Sequence, residues 1–451
     1  MQYPGWNLEK TLLLESTSGA RTRELIDVRL PVEALAAGNL ANDVRVVLKK
    51  DWNQIESEVP SQVYRVERHG DTASFRVAFS VDVPADGRQR VGVYYDNPGA
   101  RAADYPSPIE VEGTGLHVVV RTPRYTVETD ERCGIAKAIA GRFDPPYLGP
   151  RVVRFADVVQ ENPAVVFAVE EPAGVRAIET GPADWTDVEL VEDLRGPVLV
   201  KRTSRGRLAY PGCPPARRPI AEVTYKFFAE QPYFLVHTKL TFPEDTSVFG
   251  IRVGGLTVNR TCPTHYTFRP MSPNLPNTDI EEMGHILVDP ALTADLPPGN
   301  AFSSLLPYDI AWDAFLDTRQ GGGQAVACIQ LRHSCTCPAG AFPYYRGATY
   351  LVRGERALCS GRSPIYVTIR DRRENMVRVP AGTVVEELDA VVVDLFDREW
   401  GSRTDATGRR LNTPVCVAVH PRFMGREIPA EPFEPLPRGE RRDAYLRSGV
   451  R

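Results

Sequence analysis

Residues Ala221–Asp289 read AEVTYKFFAEQPYFLVHTKLTFPEDTSVFGIRVGGLTVNRTCPTHYTFRPMSPNLPNTDIEEMGHILVD, and their reading decides the fold. The first half holds three runs of alternating β-branched and aromatic residues, at 223–228, 233–242 and 248–258, parted by Glu-Gln-Pro and Pro-Glu-Asp turn signals. A period of two with such punctuation predicts antiparallel strands. The second half drops that period and gathers Thr264, His265, Tyr266, Arg269, Glu281, Glu282 and His285 in a polar, Pro-rich passage. A sheet feeding a loop with these side chains is a common way to present chemistry on a rigid scaffold.

The same strand signature extends outward in both directions. Short alternating runs recur from Asn7 to Tyr95, with turn residues between them, as in a β-sandwich. Asp96-Asn97-Pro98-Gly99 and Tyr105-Pro106-Ser107-Pro108 form the clearest linker and predict a first domain over 1–105. Further strands are expected through 106–400, with 307–318 ambiguous between a helical turn and a buried strand. The chain from 401 to 451 is sparse in periodic apolar residues, ends rich in Pro and Arg, and is expected to trail over the surface. No amphipathic run of three helical turns stands out. The predicted fold class is therefore all-β: an N-terminal β-sandwich followed by a large antiparallel β-supersandwich.

Composition narrows the function. A length of 451 residues predicts two or three domains, and 42% hydrophobic with 25% charged residues is ordinary for a globular chain. A net charge of −4, with both signs interspersed, offers no basic face to nucleic acid or to anionic lipid. No run approaches the roughly 18 apolar residues that span a bilayer, and the first residues lack the pattern of a signal peptide. A cytoplasmic setting is expected, or a secreted one if a signal precedes this sequence. Eight cysteines diluted over the chain do not make a disulfide scaffold. A homo-oligomer is compatible with the sequence.

Two segments resemble a known family. The opening NLEKTLLLESTSGARTRELIDVRL with FRVAFSVDVPADGRQRVGVYYDNP is similar to the small sandwich that precedes the main domain of some carbohydrate-active proteins. The run GPVLVKRTSRGRLAY with AEVTYKFFAEQPYFLVHTKLTF resembles the galactose-mutarotase-like supersandwich of polysaccharide lyases and some glycosidases. That resemblance implies a carbohydrate substrate and a cleft on a sheet face. With no helical block to form a toroid, the chain more nearly resembles the toroid-free lyases, whose pattern calls for a base and a cation on the uronate carboxylate. No residue is carried over by position.

Three constellations bear on chemistry. β-Elimination needs a base for the proton α to a carboxylate and donors for the resulting dianion. His265, Tyr266, Arg269 and His285 supply those types, with Glu282 beside them as a sugar contact. The bland alternative is a strand end with solvated acids. A second cluster runs Arg332-His333-Ser334-Cys335-Thr336-Cys337, followed by Tyr344, Tyr345 and Arg346. It reads as a sugar-binding wall from Arg332, His333, Tyr344, Tyr345 and Arg346, or as buried cysteines with an incidental histidine. Cys-x-Cys is off the usual zinc spacing, so no metal and no cofactor is expected. Third, Glu281, Glu282, Asp309, Asp313 and Asp317 supply carboxylates for a glycoside hydrolase pair. The leading expectation is a lyase acting on a uronate-containing glycan; the alternatives are a non-catalytic glycan-binding or structural subunit, or a glycoside hydrolase. The first two clusters are expected to converge on one rim.

Overall fold

A computed structural model describes residues 3–33, 40–50, 54–70, 72–85, 87–143, 151–155, 162–259, 265–268, 286–288, 301–305, 311–317, 323–338, 340–341, 348–353, 357–366, 370, 372–396 and 400–419. It is an all-β protein of several antiparallel sheets. A ten-stranded sheet is the spine. Its central strands are Leu199–Leu208, Ile220–Phe228, Tyr233–Phe242, Thr383–Phe396, Gly323–Cys337 and Ala311–Asp317, side by side in that order. The 307–318 ambiguity resolves as the strand Ala311–Asp317.

Strict alternation gives this sheet two different faces. Ala221, Val223, Tyr225 and Phe227 of one strand, with Phe234, Val236 and Leu240 of the next, point inward and are buried. They meet the five-stranded sheet of Tyr125–Thr129 and its neighbours, and the eight-stranded sheet of Thr246–Val253. Tyr125, Tyr225, Phe227 and Phe234 form an aromatic knot with centroid separations of 5.4 to 6.5 Å. Its buried phenols are satisfied. The Phe228 N–H donates to Tyr125 Oη at 3.1 Å, and the Ala136 N–H donates to Tyr225 Oη at 2.9 Å. Burying each such ring contributes about 1.5–3 kcal/mol, so this layer is a large part of the core.

The opposite, outer face is half covered. The first sandwich pairs a five-stranded sheet containing Leu8–Glu15 and Arg88–Tyr95 with the three-stranded sheet Arg21–Glu33, Thr72–Val83, Ser61–His69. Tyr64 and Ala78 of the latter pack against Leu199, Phe228 and Leu235 of the spine.

The trailing surface segment expected over 401–451 needs correction where it is described. Trp400–Asn412 is a helix and Cys416–Val419 is a strand of the first sandwich, paired antiparallel with Leu8–Glu15. Two glycines and three threonines or serines hide the helix from propensity reasoning. Tertiary contacts supply what propensity lacks. Trp400 is 1% exposed and packs edge-on against Trp312 at 5.4 Å, whose Nε1–H donates to Asp405 at 2.7 Å. Val415 enters the first core. No helix among the described residues is long and apolar enough to cross a membrane.

Candidate functional site

The structure separates Arg332 from His333. They are adjacent on Gly323–Cys337 and point to opposite faces of the spine, so the single sugar-binding wall expected from them is not formed. A bulge between Gln330 and Arg332 resets the phase, bringing Gln330, His333 and Cys335 onto the inner face together. There His333 Nδ1 pairs with Glu387, and Gln330 Nε2–H donates to the other Glu387 oxygen at 2.8 Å. Glu387 is 0% exposed and its neighbour Asp389 is 2% exposed. Asp389 accepts the Gly255 N–H at 3.1 Å, while the Asn162 amide donates to the Gly254 carbonyl at 2.7 Å. His333 is thus a member of an interior network that pins the Gly254–Gly255 turn, and is not placed to touch a sugar. Cys335 and Cys337 are half-buried against the core, and burial pushes the Cys335 thiol up to about 12.

The other nominated residues divide in two. His265 and Tyr266 lie on the strand His265–Phe268, where His265 is level with Leu316 and, one strand further, with Ala325. Ala325 precedes His333 by eight positions on one strand, a rise of about 25 Å at 3.3 Å per residue. These two strands therefore do not bring His265 and His333 to one rim. Arg269, Glu282, His285, Tyr344, Tyr345 and Arg346 lie outside the described residues, as do Glu281 and Asp309. Asp313 is 0% exposed. No group of three His, Cys, Asp or Glu residues placed to hold a metal ion occurs among the described residues.

The outer face of the spine holds the accessible polar cluster. Cross-strand register orders it in rows. One row runs Glu189, Arg205, Glu222, Lys239, Glu386, Ser334, one residue from each successive strand. Charge alternates along it: Arg205 bonds Glu189 and Glu222 at 2.9 Å each, and Lys239 stands 3.8 Å from Glu386. The next row carries Thr203, Thr224, His237, Leu388 and Arg332, with a 2.9 Å hydroxyl contact between the two threonines. Arg332 reaches back to Glu386 at 3.3 Å. Burial lowers the pKa of His237, Glu386 opposes that, and Arg332, Lys226 and Lys239 reinforce it.

A third row, Leu235, Lys226 and Lys201, passes under the first sandwich, which forms a wall. Asp27 anchors that wall. Tyr64 Oη–H lies 2.6 Å from both carboxylate oxygens, Arg76 Nε donates at 3.0 Å, and Lys226 Nζ stands 3.4 Å away. Burial works to raise the Asp27 carboxyl, but the Lys226 ammonium and the Arg76 guanidinium outweigh it and hold it below the usual carboxylate range. Burial pulls Lys226 below the usual ammonium range against the attraction of Asp27. Beside this joint is a cavity of about 80 Å³ lined by Ile26, Val28, Tyr233, Leu331, Arg410 and Val415, among others. Floor and wall meet along this third row, and the corner between them is the cleft considered below.

His237, Lys239, Glu386, Lys226 and Asp27 were not among the residues that the sequence brought forward. One signal was available for the first two: in YFLVHTKLTF the positions out of phase with the apolar residues are His237 and Lys239. Nothing local marks Asp27 or Glu386, whose roles come from strands far apart in sequence.

The fold is that of an all-β sandwich protein. No family model and no curated protein matches the chain. Solved structures do. It is similar to an alpha-mannosidase from Enterococcus faecalis V583 at 10% identity and a TM-score of 0.50, over 94% of this chain and 47% of that one. It is also similar to a protein in the glycosyl hydrolase family 38 from Enterococcus faecalis at 9% identity and a TM-score of 0.51, over 94% of this chain and 49% of that one. The chain spans about half the length of either, and at such identities the likeness is one of fold. Neither name is that of a lyase, so the lyase comparison drawn from the sequence has no counterpart in these two.

Proposed function

We propose that the chain is a carbohydrate-binding protein on a fold shared with glycoside hydrolases, and that the cleft beside His237 holds the sugar. The observation that carries the reading is the fold correspondence, over 94% of this chain, with an alpha-mannosidase. The cleft suits the task chemically. Strands about 4.8 Å apart and rows about 6.7 Å apart set donors and acceptors at a pitch close to the width of one sugar ring. Arg332, Lys239 and the threonine hydroxyls donate, and Glu386 and Glu222 accept.

Holding suits this face better than hydrolysis does. A glycosidase needs one carboxylic acid that keeps its proton beside one that does not. Each carboxylate named on this face, from Asp27 to Glu386, sits against a cation instead. Hydrolysis by the chain itself is the second reading, favoured by the name of the neighbour.

The test has two arms on the full chain. Mannose and manno-oligosaccharides are titrated by calorimetry, and release of chromophore from an aryl α-mannoside is followed in parallel. Binding without release supports the holding role; release supports the second reading. A 4,5-unsaturated product from a uronate polymer would restore elimination and overturn both. If none of these ligands binds or reacts, the carbohydrate reading falls.

A further inference from the structure

We infer that the His237–Arg332 part of the cleft is a subsite for an acidic sugar, one carrying a carboxylate or a phosphate, and this rests on the carbohydrate reading above. Charge on the floor is the first ground. The rows around His237 carry Arg205, Lys239, Arg332, Lys226 and Lys201 against Glu189, Glu192, Glu222 and Glu386. Adding the wall brings in Arg76 with Asp27, so the cations still exceed the acids. A neutral sugar leaves that excess uncompensated, and an anionic group offsets it.

Open hydrogen-bonding capacity is the second ground. Arg332 Nε is buried and has no partner among the described residues. The guanidinium's described contact to Glu386 is long, at 3.3 Å, and Glu386 keeps Lys239 at 3.8 Å if Arg332 turns away. No side chain among the described residues hydrogen-bonds the His237 ring. A buried donor without a partner is costly, and a planar fork is the group best matched to a carboxylate or phosphate. Arg332 is still reachable, with its side chain 35% exposed. The ligand's anionic group sits on the Arg332 fork, and its hydroxyls bridge Glu386 and Thr224.

The experiment compares mannose, mannuronic acid and mannose 6-phosphate by calorimetry on the full chain, at low and at raised ionic strength. Acidic forms are expected to bind tighter than mannose, with the advantage shrinking as salt rises. In Arg332→Gln the ratio of acidic to neutral affinity collapses by about tenfold or more, equivalent to about 1.4 kcal/mol. Should that variant fold poorly, Arg332→Lys reads the same ratio, since it keeps the charge and loses the fork. The carboxylate and phosphate arms identify which anion is preferred. Equal binding of mannose and the acidic forms, or a ratio that survives both substitutions, overturns the inference while the sugar reading stands. No binding in any arm sinks both.

Discussion

Asp27→Ala removes the centre of the joint between the first sandwich and the spine. The carboxylate is 5% exposed and compensates two cations, Arg76 and Lys226, while accepting from Tyr64. With the anion gone, Lys226 stays under the first sandwich among Phe228, Tyr233 and Leu235. Breaking a buried pair by deleting one partner costs about 3–5 kcal/mol, far more than an exposed pair is worth. Urea unfolding followed by tryptophan fluorescence measures the loss. Two transitions are expected to appear where the parent shows less separation, because the change loosens one sandwich from the other. Lys226→Met in the Asp27→Ala background should recover much of the loss, since it replaces the stranded ammonium with an apolar chain of similar volume. A loss below about 1 kcal/mol for the single variant, or no recovery in the double, refutes the idea that this pair couples the two units.

Gly254→Ala should destabilise by at least about 2 kcal/mol, because φ is +62° and the new methyl runs into Asp389 Oδ2 and, at 2.6 Å, Glu387 Cγ. Gly19→Ala, at φ +94° with nothing within 4 Å, is the control that carries backbone strain alone; similar losses in thermal melts would show that the acid network does not hold the turn. The depressed pKa of His237 binds stability to pH with a defined sign. The folded value lies below the usual 6.5, so its contribution is full above pH 6.5 and is lost as pH falls through the folded value. Unfolding midpoints should therefore drop below pH 6.5, and less steeply in His237→Gln; parallel pH curves for parent and variant would count against the reading. Leu331→Ala enlarges the interdomain cavity and should cost about 2–5 kcal/mol, since Leu331 is 4% exposed and lines that space. A neutral outcome by denaturant titration would mean that the site collapses freely.

The all-β fold was legible because the spine strands obey a strict period of two, as in Ile220–Phe228 and Tyr233–Phe242. The helix Trp400–Asn412 was not, because its stability lies in contacts with Trp312, remote in sequence. Arg332 and His333 show how a site is misread even when its strand is found. Past a bulge, neighbours on a strand again point to opposite faces, so one wall does not hold both. Which of them faced the cleft depended on the bulge and on Thr383–Phe396, whose Glu386 and Glu387 divide between the faces in the same way. That choice is made by pairing partners more than fifty residues away, and local pattern carries no trace of it.

The bulge ties the two faces of the spine together. Without an extra residue after Gln330, the outer face would have one side chain where it now has both Leu331 and Arg332. Leu331 goes to the apolar cluster beneath the first sandwich and Arg332 to the open floor beside Glu386. On the inner face the same insertion leaves Gln330 and His333 flanking a single acid, Glu387, so that a buried carboxylate gains two partners from one strand. One irregularity thus serves the interior network, the interdomain packing and the polar cleft. Bulges recur where a strand must re-aim a side chain beside a site, and this one re-aims the residue on which the acidic-sugar inference rests.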